Sequence, residues 1–287
     1  MSKRSVTFLS LGSLLALLIA TNNSVGFGNI LKTPTSTNAV VSAQSHSAAN
    51  TDKLYSSKLA DLPVNIYAQV ENNADISTIS PEAEHCKSLV YRTLSSLPQE
   101  PVNKLKNLTL IFNDTARRGL GGGSTILLRC QNVTDEELVG VLVHEMGHIM
   151  DTGVLIGSAS AKETVFKDGA TPIYENDTSA TFYKLSFKNA TTLKDDAGDQ
   201  DFVSGYAKSD VFEDFAETYA YYVLHGDEFR KLIKTNKTLN SKYFFMKYFV
   251  FGGKEYFNGD SKFSGDTFDR NYDVTVLSYD LTKFFAV

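Results

Sequence analysis

Apolar residues recur at helical spacing between Leu138 and Ile149. This spacing predicts a helix that holds an apolar stripe against a core. Thr134, followed three residues later by Glu137, has the pattern of a capping box, in which two side chains satisfy free amides at a helix start. We therefore expect a helix that begins just after Thr134.

Shorter apolar runs at residues 108–112 and 125–128 are rich in leucine, isoleucine and threonine, which is typical of strands. They flank a glycine-rich stretch, residues 117–124, which predicts a flexible loop between two neighbouring strands. Further along the chain, Val211–Leu224 has the pattern of a second helix. We expect the aromatic stretch at residues 242–251 to pack beneath the helices rather than to bind a ligand.

The start of the chain resembles a secretory signal peptide, because a pair of basic residues precedes an apolar run at residues 6–20. That run is marginal for spanning a bilayer, so an uncleaved membrane anchor is the alternative. We assign residues 1–43 to a signal peptide and the start of a flexible segment. Residues 44–60 form a linker or pro-segment, and residues 61–287 form the folded domain.

The composition allows a large core, since 42% of the residues are hydrophobic and 11% are aromatic. The net charge of −5 argues against nucleic acid or an anionic membrane as the main partner. Cys86 and Cys130 are the two cysteines of the chain. In an exported protein they can form a disulfide, and two buried thiols are the alternative.

Candidate chemistry lies within the first predicted helix, where the sequence His-Glu-Met-Gly-His contains His144, Glu145 and His148. Residues four apart share one face of a helix, so both imidazoles can bind one cation. Glu145 then lies beside a water molecule rather than on the metal. This arrangement suits a hydrolase in which zinc activates the water and the carboxylate is the general base.

A catalytic zinc ion usually needs a third protein ligand, which must come from later in this chain. Asp151 and Val154 stand where the metzincin pattern has glycine and histidine, which excludes that class. His225 is the one later histidine, and we expect it at the surface of a helix end. Glu213 and Glu217 share one face of the second helix, so one can bind zinc while the other supports a ligating histidine.

The sequences HEMGHIMD (144–151) and YAKSDVFEDFAE (206–217) resemble the catalytic domain of anthrax lethal factor and its relatives, which include the secreted Pro-Pro endopeptidases. These are gluzincin-type zinc metallopeptidases. The resemblance implies that Glu213 is the third zinc ligand, that Tyr206 donates a hydrogen bond to the oxyanion, and that Glu217 supports a ligating histidine.

The resemblance also implies an α+β, zincin-like fold with a small twisted sheet, an active-site helix and a mainly helical C-terminal lobe. In this fold an edge strand runs along the active-site cleft, where an extended peptide can add as a further strand. We expect residues 125–129 to form that edge or to border it. The spacer between the two motifs is longer than expected from lethal factor, and the insertion at residues 163–201 has no assigned role.

These features predict a secreted endopeptidase with one catalytic Zn²⁺ bound by His144, His148 and Glu213. Residues 61–287 are its catalytic domain, Glu145 is the general base, and we expect a monomer that acts on a protein or peptide substrate. The alternative is a non-catalytic secreted or surface binding module that retains a zincin fold. The intact set of ligands, together with Glu145, argues against that alternative.

Overall fold

The computed structural model describes residues 25–26, 62–70, 80–113, 117–257 and 273–286. The predicted signal peptide and the predicted linker or pro-segment lie outside these residues, apart from Val25–Gly26. Among the helices of the described residues, none is both long enough and apolar enough to cross a membrane.

A five-stranded sheet forms one layer of the described structure. Its strands are β1 (Val25–Gly26), β2 (Asn65–Val70), β3 (Asn107–Phe112), β4 (Gly119–Gly122) and β5 (Thr125–Arg129). The strand order is β1-β2-β3-β5-β4. The three inner strands run parallel to one another, whereas β1 and β4 run antiparallel to their neighbours.

The strands predicted at residues 108–112 and 125–128 are confirmed by β3 and β5. β5 borders the edge of the sheet, as expected, and the edge itself is β4. The prediction of a loop at residues 117–124 is wrong, because Gly119–Gly122 pairs with β5 over its whole length. Glycine is a poor strand former by itself, so β4 depends on this pairing rather than on local propensity.

Helices α1 (Ser80–Ser96) and α2 (Gln99–Lys104) lie between β2 and β3 in the chain, and α3 (Asp135–Ile149) follows β5. The predicted start of α3 is confirmed, because the Thr134 side chain accepts a hydrogen bond from the Glu137 amide at 3.1 Å. The Glu137 carboxylate accepts a hydrogen bond from Arg129, also at 3.1 Å. Every residue of α3 from Leu138 to Ile149 is buried, so the helix runs through the core instead of lying on it with one stripe.

The chain between α3 and the second predicted helix has regular structure of its own. Its elements include a π-helical turn (Met150–Val154), β6 (Glu163–Asp168), β7 (Thr171–Tyr174), α4 (Ser179–Ser186), β8 (Phe187–Asn189) and β9 (Thr192–Leu193). β6 pairs with β7, and β8 pairs with β9. Phe166, Phe182 and Phe187 of this region are buried, so the predicted insertion contributes to the core.

The second predicted helix is confirmed with the predicted bounds, as α5 (Val211–Leu224). Asp210 caps the start of this helix, because its side chain accepts hydrogen bonds from two amides of the first turn, both at 2.9 Å. α5 crosses α3 closely: a Cβ added to Gly147 would lie 2.8 Å from the Cα of Ala216. A glycine at this crossing therefore lets the two helix backbones approach each other.

The C-terminal part is mainly helical, as predicted, and contains α6 (Gly226–Leu232), α7 (Lys237–Phe245), a π-helical turn (Met246–Val250) and α8 (Leu281–Phe285). Tyr243 and Phe251 pack beneath α5, with their rings 5.1 and 4.6 Å from the ring of Tyr222. The expected packing of residues 242–251 is thus confirmed for these side chains, whereas Tyr248 and Phe249 are exposed.

A disulfide joins Cys86 of α1 to Cys130, which follows β5 directly. The C-terminal segment, residues 273–286, returns to α3, where the Tyr279 hydroxyl donates a hydrogen bond to the Glu136 carbonyl at 2.9 Å. The chain end is therefore part of the packing around the first predicted helix. The mixture of helices with small sheets agrees with the predicted α+β class.

Candidate metal centre

Two imidazoles lie one above the other along α3. His144 and His148 are four residues apart and project from the same face, with ring centroids 5.0 Å apart and ring planes at 79°. Both side chains are buried. A buried pair of polar rings requires a polar or charged partner, and that partner comes from α5.

The partner is Glu213, in the first turn of α5. Its Oε2 lies 3.3 Å from His144 Nε2 and 3.5 Å from His148 Nε2. Three donor atoms that each bind a tetrahedral zinc ion at about 2.1 Å are about 3.4 Å from one another, so this spacing suits zinc. Among the residues that the structure describes, these three form a buried group whose donor atoms all lie within 4.8 Å of one another.

The charges around this group favour a cation at its centre. Burial alone would lower the pKa of His144, but its hydrogen bonds with Glu213 and Glu217 raise that pKa well above the ordinary value. Burial alone would raise the pKa of Glu213, but the charge of His148 and the hydrogen bonds with both histidines lower it well below the usual range. The contacts between Glu213 Oε2 and the two histidines, at 3.3 and 3.5 Å, are long for hydrogen bonds, and no other described residue donates one to this buried oxygen, so it is available to a metal ion.

Glu217 lies one helical turn after Glu213 and is fully buried. Its Oε1 accepts a hydrogen bond from Nδ1 of His144 at 2.8 Å. A proton on Nδ1 leaves the lone pair of Nε2 directed toward Glu213, which is the orientation that a metal ligand needs. The other oxygen of Glu217 accepts hydrogen bonds from the Ser204 hydroxyl and from the Val274 amide, the latter at 2.7 Å.

The Glu145 carboxylate is buried between α3 and the edge strand β4. A Cβ added to Gly121 would lie 2.8 Å from Glu145 Oε2, and a Cβ added to Gly119 would overlap Oε1. The carboxylate therefore occupies room that the two glycines leave open. Burial raises the pKa of Glu145, although the charges of His144 and His148 act in the opposite direction.

Tyr206 begins a 3₁₀ turn (Tyr206–Lys208) on the open side of the group. Its ring centroid lies 6.2 Å from that of His144, with the planes 27° apart, and 42% of the residue is exposed. Burial of the hydroxyl and the neighbouring Glu213 carboxylate raise the pKa of Tyr206 far above its ordinary value. The phenol is therefore protonated at neutral pH and can donate a hydrogen bond.

All the side chains that the sequence singles out for the site lie together at these positions. The structure adds Ser204 and the amide of Val274, which no pattern marks, since one is an ordinary polar residue and the other is a backbone group. The prediction of His225 at the surface is wrong. Its ring lies 5.1 Å from the ring of Tyr221 and 6.0 Å from that of Tyr279, and only 1% of the residue is exposed.

Comparison with protein families gives a match at residues 132–252 to a family model described as "Putative zinc-binding metallo-peptidase". The matched stretch contains α3 and α5, and with them His144, His148 and Glu213. The match supports a zinc-binding metallopeptidase. The corresponding comparisons with curated proteins and with solved structures found no match.

Proposed function

We propose that the protein is a secreted zinc-dependent endopeptidase of the gluzincin type, similar to anthrax lethal factor and the Pro-Pro endopeptidases. The observation that carries this proposal is the buried group of His144, His148 and Glu213, with the Glu145 carboxylate beside it. The family match over residues 132–252 supports it. The charged and apolar pattern at the start of the chain supports export.

His144, His148 and Glu213 would hold one zinc ion. When bound there, the ion would supply Lewis-acid chemistry, polarising the peptide carbonyl and lowering the pKa of a water molecule. Glu145 would take a proton from the water that attacks the carbonyl carbon, and would then deliver this proton to the leaving amine. The burial that raises the pKa of Glu145 helps this carboxylate to hold the proton between the two steps.

Tyr206 and Glu217 both lie beside His144 and would assist the reaction. The Tyr206 phenol donates a hydrogen bond to the carbonyl oxygen as negative charge develops there, which contributes about 2–4 kcal/mol to the stability of the transition state. Glu217 keeps Nε2 of His144 directed at the metal position through the 2.8 Å hydrogen bond to Nδ1.

The edge strand β4 could bind the substrate through backbone hydrogen bonds. Within the described structure β4 pairs with β5 on one side, so its other edge can accept an extended peptide as a further strand. Because β4 packs against Glu145, such a peptide would pass close to the general base. Gly119–Gly122 carries one side chain larger than hydrogen, so little keeps the substrate backbone away.

The first test is mass-spectrometric cleavage profiling of the purified protein against a diverse peptide library, with Glu145→Gln as the paired control. We expect cuts from the wild type alone and a rate at least about a thousandfold lower in the variant, since proton transfer is lost. Both proteins should carry zinc, because the three ligands are unchanged. Zinc-loaded wild type that makes no cuts would favour the binding module instead.

A second test concerns the two glutamates of α5. We expect Glu213→Ala to lose zinc to a chelator far faster than Glu217→Ala, because the first change removes a ligand and the second removes the support of a ligand. Zinc content after timed dialysis measures this. If Glu217→Ala loses its zinc faster than Glu213→Ala, Glu217 is the ligand and Glu213 is the supporting residue.

A further inference from the structure

Glu217 joins three separate parts of the chain. One oxygen binds His144 of α3, and the other accepts hydrogen bonds from Ser204 and from the amide of Val274. Ser204 Oγ also accepts a hydrogen bond from the Ala207 amide at 3.1 Å, next to Tyr206. A fully buried carboxylate has no water to reorient it, so these donors fix its direction.

The Val274 amide is held in place by its own neighbours. Arg118 donates one hydrogen bond to the Thr275 hydroxyl at 2.6 Å and another to the Asp273 carboxylate, with which it forms an ion pair. Arg118 directly precedes the edge strand β4. The Cα of Thr275 lies 3.4 Å from the position that a Cβ on Gly140 of α3 would take. Residues 273–275 thus bind Arg118 at the start of β4 and also pack against α3.

We propose that residues 273–275 form a clasp that positions His144 for metal binding, with the backbone amide of Val274 acting through Glu217. Val274 is a positioning residue and does not touch the reacting atoms. If its N–H is lost, one of the two donors to the same Glu217 oxygen is lost, and the carboxylate can rotate together with the His144 ring. This inference rests on the proposed function, in which the ion is zinc.

The role of the amide can be separated from the role of the side chain. Val274→Pro removes the N–H and keeps an apolar side chain of similar bulk. Proline fits here because Val274 is the first residue of a 3₁₀ turn (Val274–Val276), and the preceding Asp273 has φ −92° and ψ 162°, which suits a residue before proline. Val274→Ala is the matched control, because it keeps the amide and loses the buried side chain.

The experiment measures the zinc affinity of the full protein by competition with a chelator, together with the thermal midpoint of each metal-free form. We expect Val274→Pro to weaken zinc binding about tenfold or more, as the loss of a group that supports a metal ligand does. Its Co²⁺-substituted form should show a changed visible absorption spectrum, and kcat should fall more than KM rises. Val274→Ala should change zinc affinity less while lowering the thermal midpoint, because it removes packing.

A folded Val274→Pro protein with wild-type zinc affinity and a wild-type Co²⁺ spectrum would overturn the inference. So would an equal loss of zinc affinity in Val274→Ala. If Val274→Pro does not fold, Arg118→Met decides, since it removes both bonds to the clasp from a partly exposed side chain. Weakened zinc binding in that variant supports the clasp, and unchanged binding overturns it.

The same measurements distinguish this inference from the proposed function. Wild-type protein that binds zinc but cleaves no peptide contradicts the endopeptidase, while the zinc affinities of the variants still test the clasp. Wild-type protein that cleaves peptides, with a Val274→Pro variant that binds zinc and cleaves equally well, contradicts the clasp and leaves the endopeptidase standing.

Discussion

Glu145 fits between α3 and β4 because positions 119 and 121 are glycines. A Cβ at Gly121 would lie 2.8 Å from Glu145 Oε2 and 2.9 Å from the Glu145 carbonyl oxygen. At Gly122 the nearest atom to an added Cβ is Thr152 Oγ1, at 3.9 Å. The same strand thus offers a crowded position and an open position one residue apart.

We expect Gly121→Ala to displace the Glu145 carboxylate and to lower kcat about a hundredfold, because a shift of about 1 Å in a catalytic group has this effect. Gly122→Ala should lower kcat by less than about threefold, since the new methyl group meets no close neighbour within the described residues, and any effect of this methyl group on substrate pairing should appear in KM. Steady-state kinetics on a peptide found by cleavage profiling measures both. Equal losses in the two variants would contradict this account of how Glu145 is held.

At the scale of residues, the sequence could mark His144 and His148 because local spacing alone sets which side chains share a helix face. Glu213 lies on a helix that is far from α3 in sequence. The spacing alone could not say whether Glu213 or Glu217 is the zinc ligand, and the family resemblance favoured Glu213. Val274 could not be found, because its contribution is a backbone amide that only the folded chain brings to Glu217.

At the scale of elements, a buried ion pair joins α7 to α5. Lys242 Nζ lies 2.7 Å from Asp214 Oδ2 and donates a hydrogen bond to the Asp201 carbonyl at 2.8 Å, and both charged side chains are fully buried. The ammonium group also lies 4.1 Å from the centre of the Phe202 ring. Asp214 therefore points toward Lys242 of α7 and not toward His144, His148 and Glu213.

We expect Lys242→Met to lower the free energy of unfolding by about 3–5 kcal/mol, because it leaves the Asp214 carboxylate buried without its partner. The double variant Asp214→Asn with Lys242→Met should recover most of this loss, since no charge is then stranded. Urea unfolding of the metal-free proteins measures both. A single variant as stable as the wild type would show that water reaches the carboxylate.

The helices α3 and α5 could be predicted because their apolar spacing, and for α3 also its cap residues, agree with the tertiary structure. β4 could not be predicted, since its glycines favour a loop and only the pairing with β5 makes it a strand. The hairpins at residues 163–174 and 187–193 were also missed. Their strands are short and mostly carry exposed or partly buried side chains, so the apolar alternation that marks a strand is weak.

At the scale of the whole molecule, the disulfide between Cys86 and Cys130 links α1 to the end of β5 across a sequence separation of 44 residues. We expect the double variant Cys86→Ala with Cys130→Ala to lower the free energy of unfolding by about 2–4 kcal/mol, through the larger entropy of the unfolded chain. Urea unfolding measures the change, and wild type in reductant should match the variant. A wild type insensitive to reductant would contradict this.

The α+β class was implied by the family resemblance, and the strand-like and helical patterns, which depend on local sequence, agree with it. The return of the C-terminal segment to α3 could not, because it rests on contacts between residues far apart in sequence, such as the Tyr279 hydroxyl and the Glu136 carbonyl. The pairing of Val25–Gly26 with β2 was missed for the same reason.

The two helices that would supply the zinc ligands are separated by the whole region of hairpins and α4. During synthesis His144 and His148 leave the ribosome well before Glu213, and residues 273–275 follow later still. The three proposed ligands can therefore come together only after Glu213 has been synthesised. A nascent chain that lacks Glu213 would carry two of the three ligands, so under the proposed function it could not yet cleave a peptide bond.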